Sequence, residues 1–238
     1  WQKDQNGQRR HTLMTTQLTF DLPCLPSHDR GDFFVSRSNE MAVKFIEDWP
    51  NWPLKKHVLS GPKSSGKTHL AHIWAKMSDA LVTSAKDISD PEALSQTHLL
   101  VEDVHKISGL RTLETTLFHA HNLLQQKGFY LLMTGLGSPL HWDITLPDLA
   151  SRIQGARHVA LDPPDDRLFA ALLAKQFSDR QLFPAPEVLQ YLVTRLERSH
   201  ESARRFVERA DQVALSEKRA ISRGLAKSIL EEFDTDSD

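Results

Sequence analysis

The residues best suited to chemistry in this sequence form one short glycine- and serine-rich segment. Residues 61–68 read GPKSSGKT and fit the pattern G-x-x-x-x-G-K-[ST] at every fixed position. The apolar pair Val58-Leu59 precedes the segment, and a helical pattern over residues 69–77 follows it. In this strand–loop–helix context the pattern predicts a phosphate-binding loop, because glycines let successive backbone N–H groups converge on phosphate oxygens and the helix N-terminus adds positive potential. The alternative is an ordinary glycine- and serine-rich βα turn.

Two side chains of this P-loop have separate tasks. Lys67 would reach the outer phosphates of a nucleotide, and Thr68 would be a ligand of Mg²⁺. The residues that would surround the phosphates are Gly61, Pro62, Lys63, Ser64, Ser65 and Gly66.

Two carboxylates follow a later apolar run. Residues 99–101 lead directly into Glu102 and Asp103. A P-loop needs an acidic residue at the end of a neighbouring strand, usually with Asp on the metal side and Asp or Glu next to it to position water. The order here is Glu then Asp, so both side chains have unusual lengths for these tasks. We expect Glu102 near Mg²⁺ and Asp103 near the reacting water, and two exposed strand-end carboxylates are the alternative.

Two further residues fit the chemistry of phosphoryl transfer. Thr134 follows the apolar residues 131–133, where a hydroxyl would sense the terminal phosphate or the attacking water, although a lone threonine there is more often structural. Arg152 lies in the segment LPDLASRI, residues 146–153. It is either an ordinary surface residue or an arginine finger that projects into a neighbour's nucleotide site, where such a charge accelerates hydrolysis by orders of magnitude.

The elements that must position these residues are short apolar runs separated by helical patterns. The runs do not alternate between apolar and polar residues, which is typical of a parallel sheet covered on both faces. They span residues 57–60, 80–82, 98–101, 129–134 and 158–161. One intervening helix is marked by apolar spacings of three and four residues between Leu110 and Leu124. This part of the chain is predicted to be α/β.

The character of the chain changes at residues 162–165, which read DPPD. Only helical patterns follow, and they predict about four helices. The first 16 residues are polar and aperiodic, with Met14 as a natural start. We therefore expect a flexible arm over residues 1–26, a nucleotide-binding α/β domain over 27–163 and a helical domain over 164–238.

Composition excludes several classes of protein. The 238 residues carry 29 basic and 31 acidic side chains, a balance that excludes a strongly basic nucleic-acid coat. Cys24 is the one cysteine, so no disulfide framework or CxxC metal site is expected. His69 and His72 lack a third metal ligand at suitable spacing. No apolar run of membrane-spanning length and no signal peptide is present, so a cytoplasmic protein without membrane contact is expected.

The order and spacing of these motifs resemble the AAA+ proteins of the DnaA family, and within it the Hda-type regulatory inactivators. The resemblance runs from about residue 17 to residue 230. The segments that carry it, besides the P-loop and the acidic pair, are residues 32–35, 38–39, 117–124, 146–153 and 162–168. It implies a three-layer α/β P-loop core with a parallel sheet, followed by an all-helical lid domain, with ADP or ATP and Mg²⁺ as ligands.

The N-terminal arm contains QLTFDLP, residues 17–23, which resembles the peptide by which bacterial replication proteins bind the sliding clamp, the β subunit of DNA polymerase III. Leu18, Phe20 and Leu22 would enter apolar pockets while the amide of Gln17 sets the register. A first edge strand with the same three side chains buried is the alternative. The position of residues 17–23 in a polar arm favours the clamp peptide over the edge strand.

The resemblance also implies roles for single residues. Phe34 and Val35 would line the adenine pocket, with Asn39 near it, and Arg152 would be the finger presented to ATP bound by DnaA. An arginine of the lid should face the nucleotide, but an ungapped match places Glu201 at that position. Arg204, almost one turn further on, is our choice, with Arg205 as the alternative.

These roles imply a negative regulator of DNA replication initiation that binds adenine nucleotide, the clamp and DnaA, and stimulates ATP hydrolysis by DnaA. Its own ATPase activity would be weak or absent. DnaA proteins continue beyond the lid into a helix-turn-helix domain whereas this sequence ends with the lid, so sequence-specific DNA binding is not expected.

The alternative is a self-assembling AAA+ ATPase of DnaA-like or helicase-loader type, in which Arg152 acts between identical subunits of a homo-oligomer. A small-molecule kinase is disfavoured because an acceptor-substrate domain is not evident.

Overall fold

The computed structural model describes residues 24–25 and 33–235, with side chains for residues 34–233. The predicted clamp peptide, residues 17–22, lies outside the described residues. Two short strands, β1 (Cys24–Leu25) and β2 (Phe33–Phe34), pair antiparallel ahead of the main sheet. The elements that follow are α1 (Glu40–Glu47), β3 (Lys56–Gly61), α2 (Lys67–Ser78), β4 (Leu81–Ser84), α3 (Pro91–Leu94), β5 (Leu99–Glu102), α4 (Arg111–Lys127), β6 (Leu131–Leu136), α5 (Pro147–Gln154), β7 (Arg157–Ala160), α6 (Asp166–Asp179), α7 (Pro186–Val193), α8 (His200–Glu217) and α9 (Arg223–Thr235).

The main sheet has five parallel strands in the order β4-β5-β6-β3-β7. This confirms the predicted parallel α/β core, and each of the five predicted runs overlaps a strand. The boundaries differ by one or two residues. The run at 80–82 overlaps β4. The strand extends beyond the run because its last residues, Thr83 and Ser84, are polar. The run at 129–134 begins two residues too early, because Phe129 and Tyr130 lie in the connection after α4.

Both faces of the sheet are covered, which explains why the strands read as continuous apolar runs. Val58 and Leu99 pack with α4 and α5 on one face. Their neighbours Leu59 and Leu100 point to the other face and pack with α1 and α2. The core therefore has three layers, helix–sheet–helix, as expected.

Helices α6 to α9 follow the sheet and share their own apolar core, in agreement with the four helical patterns. Its buried members include Phe169, Phe177, Leu192, Phe206 and Ile229. The side chain of Asp165 caps α6 by accepting a hydrogen bond from the N–H of Leu168 at 2.9 Å. Ser38 holds the two units together, since its carbonyl accepts from the N–H of Asp162 at 3.3 Å and its hydroxyl from that of Asp165 at 3.4 Å. Within residues 33–235 no helix has the length and apolar character needed to cross a bilayer.

Candidate functional site

The P-loop connects the carboxyl end of β3 with the first turn of α2, as its motif predicts. Two of its glycines are required by geometry. Gly66 has a φ of 96°, a left-handed conformation that side chains rarely adopt. At Gly61 a Cβ atom would lie 2.5 Å from the carbonyl oxygen of Leu161 on the neighbouring segment. The backbone is thus free to approach a ligand closely at both ends of the loop.

Lys67 is buried, and its ammonium lies across the loop. Nζ donates to the carbonyl oxygens of Gly61 at 3.0 Å and of Pro62 at 2.6 Å. Burial lowers the pKa of Lys67, and the negative charge of Asp103 partly offsets that effect. A buried cation held among backbone groups of a glycine-rich loop fits the phosphates of a nucleotide.

A cleft of about 540 Å³ lies between this loop and the helical unit. Residues 64–68 form one wall, and Gln176 of α6 with His200, Glu201 and Arg204 of α8 form the other. The N–H of His200 donates to the carbonyl of Ser64 at 3.1 Å, which ties the beginning of α8 to the loop. A bound phosphate chain would therefore contact both units.

The lid arginines point in different directions. Arg204 lines the cleft, where its guanidinium pairs with Glu201 and Glu208, each at 2.8 Å. Arg205 lies over the ring of Phe233, 5.3 Å from its centroid, on the side of α8 that packs against α9. Glu201 occupies the cleft as well. This geometry favours Arg204 over Arg205 as the residue that would meet a nucleotide.

The two carboxylates of the acidic pair, Glu102 and Asp103, contact different residues. Glu102, at the end of β5, lies 3.4 Å from Nε2 of His72 on α2. Asp103 has a left-handed φ of 58°, and its Oδ2 accepts from Nζ of Lys106 at 2.6 Å. The contact of Asp103 with the predicted sensor hydroxyl is made by its backbone: its N–H donates to Oγ1 of Thr134 at 3.2 Å.

The donors available for Mg²⁺ are those of an ordinary P-loop site. No group of three or more His, Cys, Asp or Glu side chains among the described residues could hold a metal on its own. A P-loop Mg²⁺ needs only one or two protein ligands besides phosphate oxygens and water. Binding of Mg²⁺ by the hydroxyl of Thr68 and the carboxylate of Glu102 stays a prediction.

Asn39 has a role in the local backbone that the sequence did not suggest. Its Nδ2 donates to the carbonyl of Phe34 and its Oδ1 accepts from the N–H of Ser36, both at 2.8 Å. The side chain is buried and closes the turn that carries Phe34 and Val35. Val35 packs against the core layer that contains the first turns of α2. Contact of this segment with adenine stays a prediction.

Arg152 lies at the amino-terminal end of the parallel strands, whereas the P-loop lies at their carboxyl end. It is exposed near the end of α5, and its charge acts on Lys56, the first residue of β3. Five residue-to-residue steps of about 3.3 Å each place Lys56 about 16 Å from Gly61, where the P-loop begins. Arg152 therefore cannot reach the P-loop of its own chain.

Glu114 is a buried residue with a structural role that pattern reasoning missed. Its carboxylate accepts from the N–H groups of Gly109, Thr145 and Leu146 at 2.9, 3.0 and 2.7 Å, and from the hydroxyl of Thr145 at 2.8 Å. Leu146 immediately precedes α5, so Glu114 fixes the start of the helix that carries Arg152. Its position on the apolar stripe of α4, one residue after Leu113, was the available signal.

No protein-family model matches this chain. A curated relative, the chromosomal replication initiator protein DnaA 2 of Chlamydia caviae, is 22% identical over 88% of the chain. The chain spans half of that relative's length.

Solved structures share the fold. Domain III of the DnaA replication initiation protein of Thermotoga maritima aligns with a TM-score of 0.73 at 19% identity, over 89% of this chain and 98% of that one. The AMPPCP-bound DnaA of Aquifex aeolicus gives 0.62 at 20% identity, over 74% and 62%. The RuvB branch-migration motor of Thermotoga maritima gives 0.65 at 18% identity, over 83% and 69%. The chain thus has the AAA+ fold of DnaA domain III.

Proposed function

We propose that this chain is an AAA+ regulatory protein that binds adenine nucleotide and uses Arg152 to stimulate ATP hydrolysis by a DnaA partner, which makes it a negative regulator of replication initiation. The observation that carries the proposal is the position of Arg152. It is exposed, no carboxylate pairs with it among residues 34–233, and the length of β3 separates it from its own P-loop. As a finger, an arginine so placed would act on the nucleotide site of another molecule.

The chain's own nucleotide would have a structural task. The loop N–H groups and Lys67 would hold the phosphates, Thr68 and Glu102 would hold Mg²⁺, and Arg204 would meet the phosphates from the helical unit. Because the cleft is walled by both units, ADP or ATP bound there would set the angle between them. The AMPPCP in the DnaA structure from Aquifex aeolicus supports an adenine nucleotide for this fold.

The chemistry occurs on the partner. Water attacks the γ-phosphorus of ATP held by DnaA, the bond from that phosphorus to the β–γ bridging oxygen breaks, and ADP, inorganic phosphate and a proton are released. The guanidinium of Arg152 would stabilise the negative charge on the transferring phosphoryl oxygens, an effect worth roughly 10³ to 10⁵ in rate for arginine fingers. DnaA would be left in its ADP form.

Recruitment would use the N-terminal peptide. Gln17, Leu18, Phe20 and Leu22 fit the clamp-binding pattern, and an extended peptide of this kind binds by its alternate side chains. A clamp loaded on DNA would raise the local concentration of the chain near DnaA without requiring sequence-specific DNA binding.

The proposal is tested by ATP hydrolysis on DnaA preloaded with radiolabelled ATP in the presence of DNA-loaded clamp. Wild-type chain should stimulate hydrolysis, and the Gln17→Ala/Leu18→Ala double variant should lose that stimulation because it is no longer recruited. Adding a large excess of the double variant should restore it. Arg152→Ala should abolish the stimulation, and Arg111→Ala, which removes an exposed arginine at the beginning of α4, is its matched control for charge loss. Absence of any stimulation by wild-type chain in either its ATP or ADP form would refute the proposal.

A self-assembling AAA+ ATPase is the second candidate, and the contact between Asp103 and Thr134 favours it. These two residues and Lys67 would take part in hydrolysis on this chain itself. In that case Arg152 would serve an identical subunit. The distinguishing result is ATPase activity of the isolated chain that rises more than linearly with its concentration and survives the Gln17→Ala/Leu18→Ala change.

A further inference from the structure

A cluster of basic side chains lies at the amino-terminal end of the parallel strands, opposite the P-loop. Its members are Lys56 at the start of β3, His121 on α4 and Arg152 on α5, and we call it the basal cluster. Lys56 is partly buried, and a Cβ added to Gly155, the residue directly after α5, would lie 3.9 Å from its Nζ. The Lys56 ammonium is therefore next to the last turn of the helix that carries Arg152.

The cluster borders a cavity of about 240 Å³. Lys55, Lys56 and His121 line it together with apolar side chains that include Leu124 and Phe129. His121 is 4% exposed, and its Nδ1 lies 3.3 Å from Oδ1 of Asn122. Burial, followed by the positive charges of Lys56 and Arg152, holds the pKa of His121 below its usual value although Asn122 acts in the opposite direction. His121 is thus neutral at pH 7, and the charges of the cluster are those of Lys56 and Arg152.

These two charges have no carboxylate partner among the side chains of residues 34–233. Burial and then the charge of Arg152 lower the pKa of Lys56. Two cations at the same end of α5 that act on each other, one of them partly withdrawn from water, are unfavourable in isolation and attract an anion.

The neighbouring Lys55 shows the opposite arrangement. Its Nζ donates to the carbonyl of Gly128 at 2.6 Å and lies 5.6 Å from the centroid of the Tyr130 ring. The ammonium of Lys55 is therefore hydrogen-bonded within its own chain, whereas the charge that acts on Lys56 is that of another cation, Arg152. This contrast makes Lys55 a matched control for the adjacent position.

We propose that Lys56 and Arg152 form a two-cation site for the terminal phosphate of a nucleotide bound to the partner, so that Lys56 selects the partner's triphosphate form over its diphosphate form. This inference rests on the proposed function, because Arg152 must face the partner's nucleotide. A triphosphate places one more charged group at the site than a diphosphate does. Removing one charge-assisted hydrogen bond to that group should weaken binding by about tenfold.

The test measures binding of the full chain to DnaA loaded with AMPPCP and, separately, with ADP. Wild-type chain should bind the AMPPCP form more tightly. Lys56→Gln should reduce that preference by about tenfold, Lys56→Arg should retain most of it, and Lys55→Gln should leave it unchanged. Lys56→Gln removes the repulsion between Lys56 and Arg152, so this variant should be at least as resistant to thermal unfolding as wild-type chain. Weaker binding by the variant would therefore not reflect loss of folding.

The two proposals fail in different ways. If Arg152→Ala abolishes stimulated hydrolysis while Lys56→Gln keeps the full preference for AMPPCP-loaded DnaA, the two-cation site is wrong and the finger stands. If Arg152→Ala retains full stimulation of hydrolysis, the proposed function itself is wrong.

Discussion

The carboxylate of Glu114 accepts hydrogen bonds from both the N–H and the hydroxyl of Thr145, at 3.0 and 2.8 Å. Through this pair a residue of α4 holds the connection that leads into α5. Two further N–H donors, from Gly109 and Leu146, complete the set. Arg152 lies on α5, so its position depends on this buried carboxylate.

Replacing Glu114 with Gln should destabilise the chain by about 2 kcal/mol, because the amide group directs donor hydrogens at N–H groups that need an acceptor. Urea unfolding at pH 7 measures the effect. Glu47→Gln, which changes an exposed carboxylate on α1, should alter the free energy of unfolding by less than about 0.5 kcal/mol. Equal effects of the two changes would contradict the role given to Glu114.

Glu114 should also contribute to stability in acid. Burial raises its pKa, but the hydrogen bonds from Thr145, Gly109 and Leu146 outweigh burial and hold the pKa below its usual value of 4.5. Because the folded state binds the proton more weakly than the unfolded state, the contribution is present above pH 4.5 and is lost as the pH falls through the lower folded pKa. Glu114→Gln should lack this component of the pH dependence.

His57 should make the chain less stable at mildly acidic pH. It is fully buried between Phe45 and Trp52, and burial lowers its pKa from 6.5 to about 4. The unfolded chain therefore binds a proton between pH 6.5 and 4 that the folded chain does not, so stability falls as the pH is lowered through that range. The loss from this group between pH 7 and pH 5 is on the order of 2 kcal/mol.

The measurement is the free energy of unfolding in urea at pH 7 and pH 5, for wild-type chain and for His57→Phe, which keeps an aromatic ring in the stack. The other buried histidines titrate in both proteins, so the difference between the two pH dependences isolates His57. The same pH dependence in both would show that His57 does not titrate as its burial requires.

Arg204 and Arg205 should differ in nucleotide binding. Arg204 lines the cleft beside the P-loop, and Arg205 stacks on Phe233. Arg204→Ala should weaken ADP binding by about tenfold, the cost of one charge-assisted hydrogen bond, while Arg205→Ala should leave it nearly unchanged. Calorimetric titration with ADP and Mg²⁺ measures both. The reverse order of effects would assign the lid arginine to Arg205.

The layout of the sheet was predictable because strands buried on both faces appear in the sequence as continuous apolar runs, and the P-loop was predictable because backbone geometry demands its glycines. The sequence did not predict that Lys56 lies near Arg152, because the two are 96 positions apart in the chain. Only the pairing of β3 with β7 brings them together. Glu114 was missed because a charged residue on a helix is ordinarily solvated. The backbone contacts of Asn39 were not predicted from the sequence, and its position near adenine stays a prediction.

The central claim, that Arg152 acts on the nucleotide of another molecule, is tested most directly by one pair of measurements on Arg152→Ala. A finger that acts in trans predicts that this variant fails to stimulate hydrolysis of ATP bound to DnaA, while it binds its own ADP with wild-type affinity. Full stimulation by the variant, or a parallel loss of its own ADP binding, would contradict that role.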